Sequence, residues 1–315
     1  MLERRVVLSN GRQIAVRDSG PANGRPVLYL HGFMGSRLEC VPADPLAKEF
    51  GLRLVSLDRP GFGQSSNAPP GAAIDAADAA AVCVNLGLRN PIVVGVSGGS
   101  AAAMLMAADP SVGAPVIILA CPLCPLDDPA IRSQFSAVSR WVLSLTTLNP
   151  GPTGFLLNGP LRQLAKRYPQ TLLNLICKRF SRADQEALSH SAWHDALSRS
   201  LAESFASGGG GALRDLLAYN QRWDDRLWQV ETPVLVWHGR EDTVVPIRGA
   251  RALARRLSNG QLHEYETEGH FSVPLRHMRT LLSQAIRIAE SRHPVPARHR
   301  SDPDPRLADF RPASR

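Results

Sequence analysis

Apolar and polar positions change rhythm along the chain, and the changes mark out its elements. Val6–Leu8 and Gln13–Arg17 flank Ser9-Asn10-Gly11, a hairpin signal. Val27–Leu30, Leu52–Leu57, Ile92–Val94 and Val116–Leu119 are short apolar runs. Between the last three, Ile74, Ala77, Ala81, Val82 and Leu86 keep helical spacing, and an Ala- and Met-rich helix is expected over about 99–108. Strands apolar on both faces and separated by helices predict an α/β fold with a mostly parallel sheet covered on both sides.

The strand signal stops from 122 to 230. Ile131, Phe135, Val138, Val142 and Leu145 fall on one helical face, as do Leu188, Ala192, Leu197, Leu201 and Phe205. Pro150, Pro152, Pro160 and Pro169 punctuate the stretch, and Gly208–Gly211 breaks it. Strands resume at Val234–Trp237 and Leu262–Glu266, each followed by a helix (about 248–257 and 275–290). The expected organisation is a core of 1–121 and 231–290 carrying eight strands, with a helical cap inserted at 122–230. Residues 291–315 are rich in Pro, Arg and Asp without periodicity, so disorder is expected there.

Apolar residues at 44% and charged residues at 20% place the 315-residue chain in the globular class. No run approaches 18 apolar residues, so no membrane span is expected. The N-terminus lacks a signal peptide's apolar region, which makes the cytoplasm the expected compartment. The net charge of +8 splits into +3 from residues 291–315 (six Arg, three Asp) and +5 from the body. No basic run is interleaved with aromatics, which argues against a nucleic-acid partner. Five cysteines are an odd number for a disulfide framework, and Cys121-Pro-Leu-Cys124 reads as two buried thiols at a strand end. Neither a metal nor a cofactor is called for.

Chemistry concentrates around Gly95-Val96-Ser97-Gly98-Gly99, placed between an apolar strand and an Ala-rich helix. A serine on such a turn is pushed clear of the sheet, and the Gly98 N–H points at any oxyanion formed there. A serine hydroxyl needs a base. Of nine histidines, His270, in Glu268-Gly269-His270-Phe271, sits on the loop after the last strand and can reach the same sheet edge. His31 and His238 end strands beside glycine and read as loop-shaping. Asp242, after the penultimate strand, is the carboxylate to orient the imidazole, with Glu241 as its neighbouring alternative and Asp127 or Asp128 as a further source.

With the order Ser97, Asp242, His270, the chain resembles a cap-bearing member of the α/β-hydrolase superfamily over roughly residues 5–290. His31-Gly32-Phe33-Met34-Gly35-Ser36 is similar to that family's oxyanion loop, which implies the Phe33 N–H as partner to that of Gly98. Asp58-Arg59-Pro60-Gly61-Phe62-Gly63-Gln64-Ser65 is similar to a loop that shapes the pocket floor, with no catalytic role implied. Gly98 stands where many members carry a bulkier residue, implying a more open elbow. Serine rather than aspartate at 97 argues against dehalogenase and epoxide hydrolase chemistry, and the Ser-Trp-Gly-Ser elbow of proline iminopeptidases is absent.

The resemblance implies a serine hydrolase that cleaves a carboxylic ester or similar small apolar acyl compound. The same residues serve C–C bond hydrolysis, acyl transfer and cofactor-free haloperoxidase chemistry, and a non-catalytic ligand-binding protein is a third possibility. Trp141, Phe155, Phe180, Trp193 and Phe205 are expected to divide between cap packing and an apolar pocket over Ser97.

Overall fold

A computed structural model describes residues 1–223 and 225–292. Eight strands form one sheet: β1 (Leu2–Val7), β2 (Gln13–Ser19), β3 (Arg25–Leu30), β4 (Leu52–Leu57), β5 (Ile92–Val96), β6 (Ile117–Ala120), β7 (Val234–Gly239) and β8 (Gly260–Tyr265). Their spatial order is β1-β2-β4-β3-β5-β6-β7-β8. The β1–β2 and β2–β4 pairings are antiparallel, and every other pairing is parallel.

Strand periodicity builds two cores. Leu28, Leu30, Val93, Ile117, Leu119, Val234 and Val236 enter one apolar cluster with the helices Ala72–Leu86, Ser100–Ala107 and Ile247–Arg256. Their alternates Val27, Ile92, Val94, Ile118, Ala120, Leu235 and Trp237 enter the other, against the helices Asp44–Glu49 and Ser272–Arg292. Because side chains alternate across a strand, burial on both faces demands near-continuous apolar runs. The helical piece Val41–Glu49, between β3 and β4, is not marked by periodicity.

Every assigned element between β6 and β7 is helical. Leu157, Leu172, Leu173, Leu188, Leu197, Leu201 and Phe205 form a third cluster that closes on Phe62 of the core. Val138 does not join the buried face expected of it and is 64% exposed. Ser136 accepts the Ser139 N–H and starts a new helix at Ala137, so Ile131 and Val138 do not share one helical axis.

The last helix runs to Arg292, and the rest of the segment expected to be disordered lies outside the described residues. Among the described residues, no helix is long and apolar enough to cross a membrane. All five cysteines are free and buried.

The chain order reverses around β3, which pairs with β4 on one side and β5 on the other. Such a switch point opens a crevice at the carboxyl ends of the strands. The loops after β3 and β5, carrying His31–Ser36 and Ser97, both leave the sheet there.

Candidate active site

Ser97 sits at φ +48°, in the left-handed region that L side chains avoid. Its neighbours make room for that turn. A Cβ on Gly95 would lie 2.7 Å from Ala103 Cβ, and one on Gly99 would overlap the Leu30 carbonyl. The short helix Ser97–Gly99 begins at the serine, so the Gly98 N–H is among the orphan donors of a helix start.

His270 and Asp242 arrive from the loops after β8 and β7. Their side chains are buried and joined by a hydrogen bond of 2.7 Å from His270 Nδ1 to Asp242 Oδ2. Two backbone donors, Val244 and Val245 N–H at 2.8 Å, hold the other carboxylate oxygen. His238 Nε2 lies 3.2 Å from Oδ2 and donates to the Val245 carbonyl at 2.9 Å, so this loop-shaping histidine also supports the acid. Burial opposes charge on Asp242, but His270 and the hydrogen bonds from both histidines outweigh it and hold the carboxyl below its usual range. Burial pulls His270 down, and Asp242 more than restores it, leaving the imidazole above its ordinary value.

The β3 loop is fixed by a buried cation. Arg59 donates from Nε to the His31 carbonyl at 3.0 Å and from Nη2 to the Gly32 carbonyl at 3.1 Å. His31 Nδ1 donates to the same Gly32 oxygen at 2.8 Å, while its Nε2 accepts the Arg59 N–H at 3.0 Å. The Gly32 carbonyl belongs to the peptide whose N–H is that of Phe33. Holding the oxygen therefore aims the donor in the opposite direction. Asp215, in the helix Gly210–Ala218, takes both ends of the Arg59 guanidinium at 2.7 and 2.5 Å, and Asp75 lies 3.1 Å from it.

Ser97 and His270 line one cavity of about 210 Å³. Its walls are overwhelmingly apolar, with Phe33, Leu173, Phe180, Trp193, Leu201 and Phe271 among them. Of the five aromatics considered from sequence, Phe180 and Trp193 line it. Phe205 is buried in the helical cluster, and Trp141 and Phe155 are exposed.

The family model for the alpha/beta hydrolase fold matches residues 25–276. This chain belongs to the alpha/beta hydrolase family. It is 27% identical over 276 residues to a non-heme chloroperoxidase of Streptomyces lividans, covering 84% of this chain and 92% of the relative. A bifunctional esterase/perhydrolase of Acinetobacter calcoaceticus is also 27% identical, over 82% of this chain and 90% of its own length. Among solved structures, an esterase from Exiguobacterium antarcticum superposes with TM-score 0.68 at 18% identity, covering 92% of this chain and all of that one. A bromoperoxidase from Bacillus anthracis gives TM-score 0.65 at 17% identity over 92% and 100% of the two chains. At such identities the structural likeness establishes the fold.

Within this hydrolase fold, the elbow is not more open for having glycine at 98. A Cβ there would overlap the Tyr219 hydroxyl, so a tyrosine from the helical segment occupies the space a larger residue would take. Tyr219 donates to Asp215 Oδ2 at 2.8 Å, which ties it to Arg59. The alternative acids Glu241, Asp127 and Asp128 are exposed, and Asp128 caps a helix through the Ala130 N–H.

Sequence reasoning missed Asp184. This buried carboxylate, from the helix Arg182–Leu188, accepts the N–H groups of His270, Phe271 and Ser272 at 2.9, 2.8 and 2.7 Å. Ser181-Arg-Ala-Asp184 reads only as a helix start, and nothing local shows that its far end caps the histidine loop.

Cys121 Sγ, Asp242 and His270 offer ligand atoms within 4.8 Å of one another. Burial pushes the Cys121 thiol well above its usual range, while metal ligation requires the thiolate. Asp242 and His270 are already committed to each other.

Proposed function

We propose that the protein is a serine hydrolase of carboxylic esters or similar small apolar acyl compounds, with Ser97, His270 and Asp242 as its catalytic triad. The observation that carries the reading is the buried His270–Asp242 hydrogen bond in a site where His270 and a left-handed Ser97 face the same cavity.

With Nδ1 bonded to Asp242, His270 keeps Nε2 for the proton of Ser97. Ser97 Oγ attacks the acyl carbon, and the carbonyl oxygen becomes an oxyanion received by the Phe33 and Gly98 N–H groups. The C–O bond to the leaving group breaks as His270 returns the proton to it. Water, deprotonated by His270, then attacks the acyl-enzyme and releases acid and free serine. Residues 122–230 act as a cap that shapes the acyl pocket, with Phe180 and Trp193 contributed from it.

The chloroperoxidase and esterase/perhydrolase relatives favour a second reading of the last step, in which hydrogen peroxide replaces water as the acyl acceptor. An ester panel assayed with and without peroxide tests both. Hydrolysis of short apolar esters supports the first reading, and peracid formation in excess of carboxylate supports the second. No turnover of any activated ester by folded protein would contradict both.

A further inference from the structure

Among the side chains lining the apolar cavity, one carboxylate is left without a task by this mechanism. Glu39 lines the same space as Ser97 and His270. Its Oε1 accepts the Tyr29 hydroxyl at 2.8 Å and the Gly32 N–H at 3.2 Å, which fixes the carboxylate against the β3 loop. Its Oε2 accepts no hydrogen bond from the described residues and is not fully enclosed, on a side chain that lines the cavity.

Gly32 measures how close this oxygen comes to the nucleophile. A Cβ placed on Gly32 would lie 3.3 Å from Ser97 Cβ and 3.9 Å from Glu39 Oε2, so a single methyl carbon would bridge the two residues. A Cβ on Gly35 would overlap Oε2 itself. Both glycines thus leave the carboxylate uncovered. Burial dominates and leaves the Glu39 carboxyl above its usual range, against the pull of Tyr29, the Gly32 N–H, Arg59 and His270 toward the ionised form. A carboxylate facing an apolar chamber is costly unless something in that chamber hydrogen-bonds to it.

We propose that Glu39 is a specificity-determining residue that receives a protonated amine carried by the substrate close to its reacting carbonyl. This rests on Ser97 marking the position of the reacting carbonyl. The apolar walls would hold the hydrocarbon remainder, so the ligand class is an amine with an attached apolar group. The contact is a charge-assisted hydrogen bond at the one carboxylate among the residues that line a mostly apolar surface.

Titration calorimetry with phenylbutylamine and the isosteric phenylbutanol tests it on the wild-type protein and on Glu39→Gln. The amine is expected to bind the wild type about tenfold or more tightly than the alcohol, the size of one hydrogen bond to a charged group. Glu39→Gln is expected to abolish that ratio, and comparing ligands within each protein cancels any general loss of affinity. Equal binding of the two ligands by the wild type, or an amine preference that survives in Glu39→Gln, overturns the proposal. Binding is read without turnover, so failure of Ser97 as a nucleophile, detected by covalent labelling, remains a separate result.

Discussion

The two flanks of the nucleophile elbow differ in the charge they carry. On the Ser97 side lies a cavity of about 210 Å³ with apolar walls and the single carboxylate of Glu39. On the Gly98 side lies a second cavity, of about 290 Å³, lined by Arg59, Asp75, Asp215, Tyr219, Gln221 and Arg222 among others. Phe33 and Tyr219, whose rings meet edge-on at 6.1 Å, stand one on each side. A dry chamber strengthens the few dipoles aimed at the reacting carbonyl. Buried charge, by contrast, is tolerable only when paired, and on the Gly98 side it is paired in a network that holds the β3 loop. Under the proposed function the difference separates chemistry from scaffolding, with the reaction on the apolar flank and the charged flank holding the loop that carries the Phe33 N–H.

The largest effect should come from the apolar flank. His270→Ala should lower ester turnover by about 10⁴-fold or more, and Asp242→Asn by about 10⁴-fold through loss of the correct tautomer. Steady-state kinetics on one activated ester measures both, and near-normal turnover in either variant would break the assignment of base and orienter.

Arg59→Met sharpens the comparison from the other side. It removes the charged donor to the Gly32 carbonyl, leaving those from His31 and Gly35, and should cost up to about 10²-fold in kcat, the size of one lost oxyanion donor, with KM little changed. Its partner change, Asp215→Ala, leaves Arg59 buried with less compensation and should destabilise by about 3–5 kcal/mol in denaturant unfolding. A rise in KM at constant kcat in Arg59→Met would place Arg59 in substrate binding instead.

Gly98→Ala should cost about 1–3 kcal/mol because the new methyl group meets the Tyr219 ring end. Tyr219→Phe removes the overlapping hydroxyl and should relieve part of that cost in the double variant, which a mutant cycle on unfolding free energies would show.

The pH profile carries a finer signature. A base must be neutral, so turnover should rise with pH as His270 loses its proton. Asp242 raises the imidazole, so the midpoint should lie above its ordinary 6.5. Residual activity of Asp242→Asn should show that midpoint moved down, and an unmoved midpoint would assign the titration to another group. The smallest effect is expected at Trp141→Ser, on the exposed side of the helical segment, within about 0.5 kcal/mol in unfolding free energy.

The same contrast explains what could be read from sequence. Strand runs such as Val116–Leu119 and the Gly95–Gly99 elbow are local patterns, and the fold places them where those patterns imply. His270 and Asp242 were legible because a parallel sheet delivers successive loops to one edge, and the two side chains meet there. Tyr219, Asp215 and Asp184 were not, because each acts on a partner far away in sequence: Gly98, Arg59 and the His270 loop. Docking of the helical segment makes those contacts, and helical periodicity does not encode it. Glu39 escaped notice for a different reason. A lone carboxylate after a glycine-rich loop has no motif, and its meaning comes from Tyr29 and the cavity beside it.

Intact-mass analysis after exposure to a fluorophosphonate, run on the wild type beside Ser97→Ala, tests the nucleophile most directly. A single adduct on the wild type and none on the variant is the expected result. An unmodified wild type with normal melting behaviour, or an adduct that persists in Ser97→Ala, would contradict Ser97 as the activated serine.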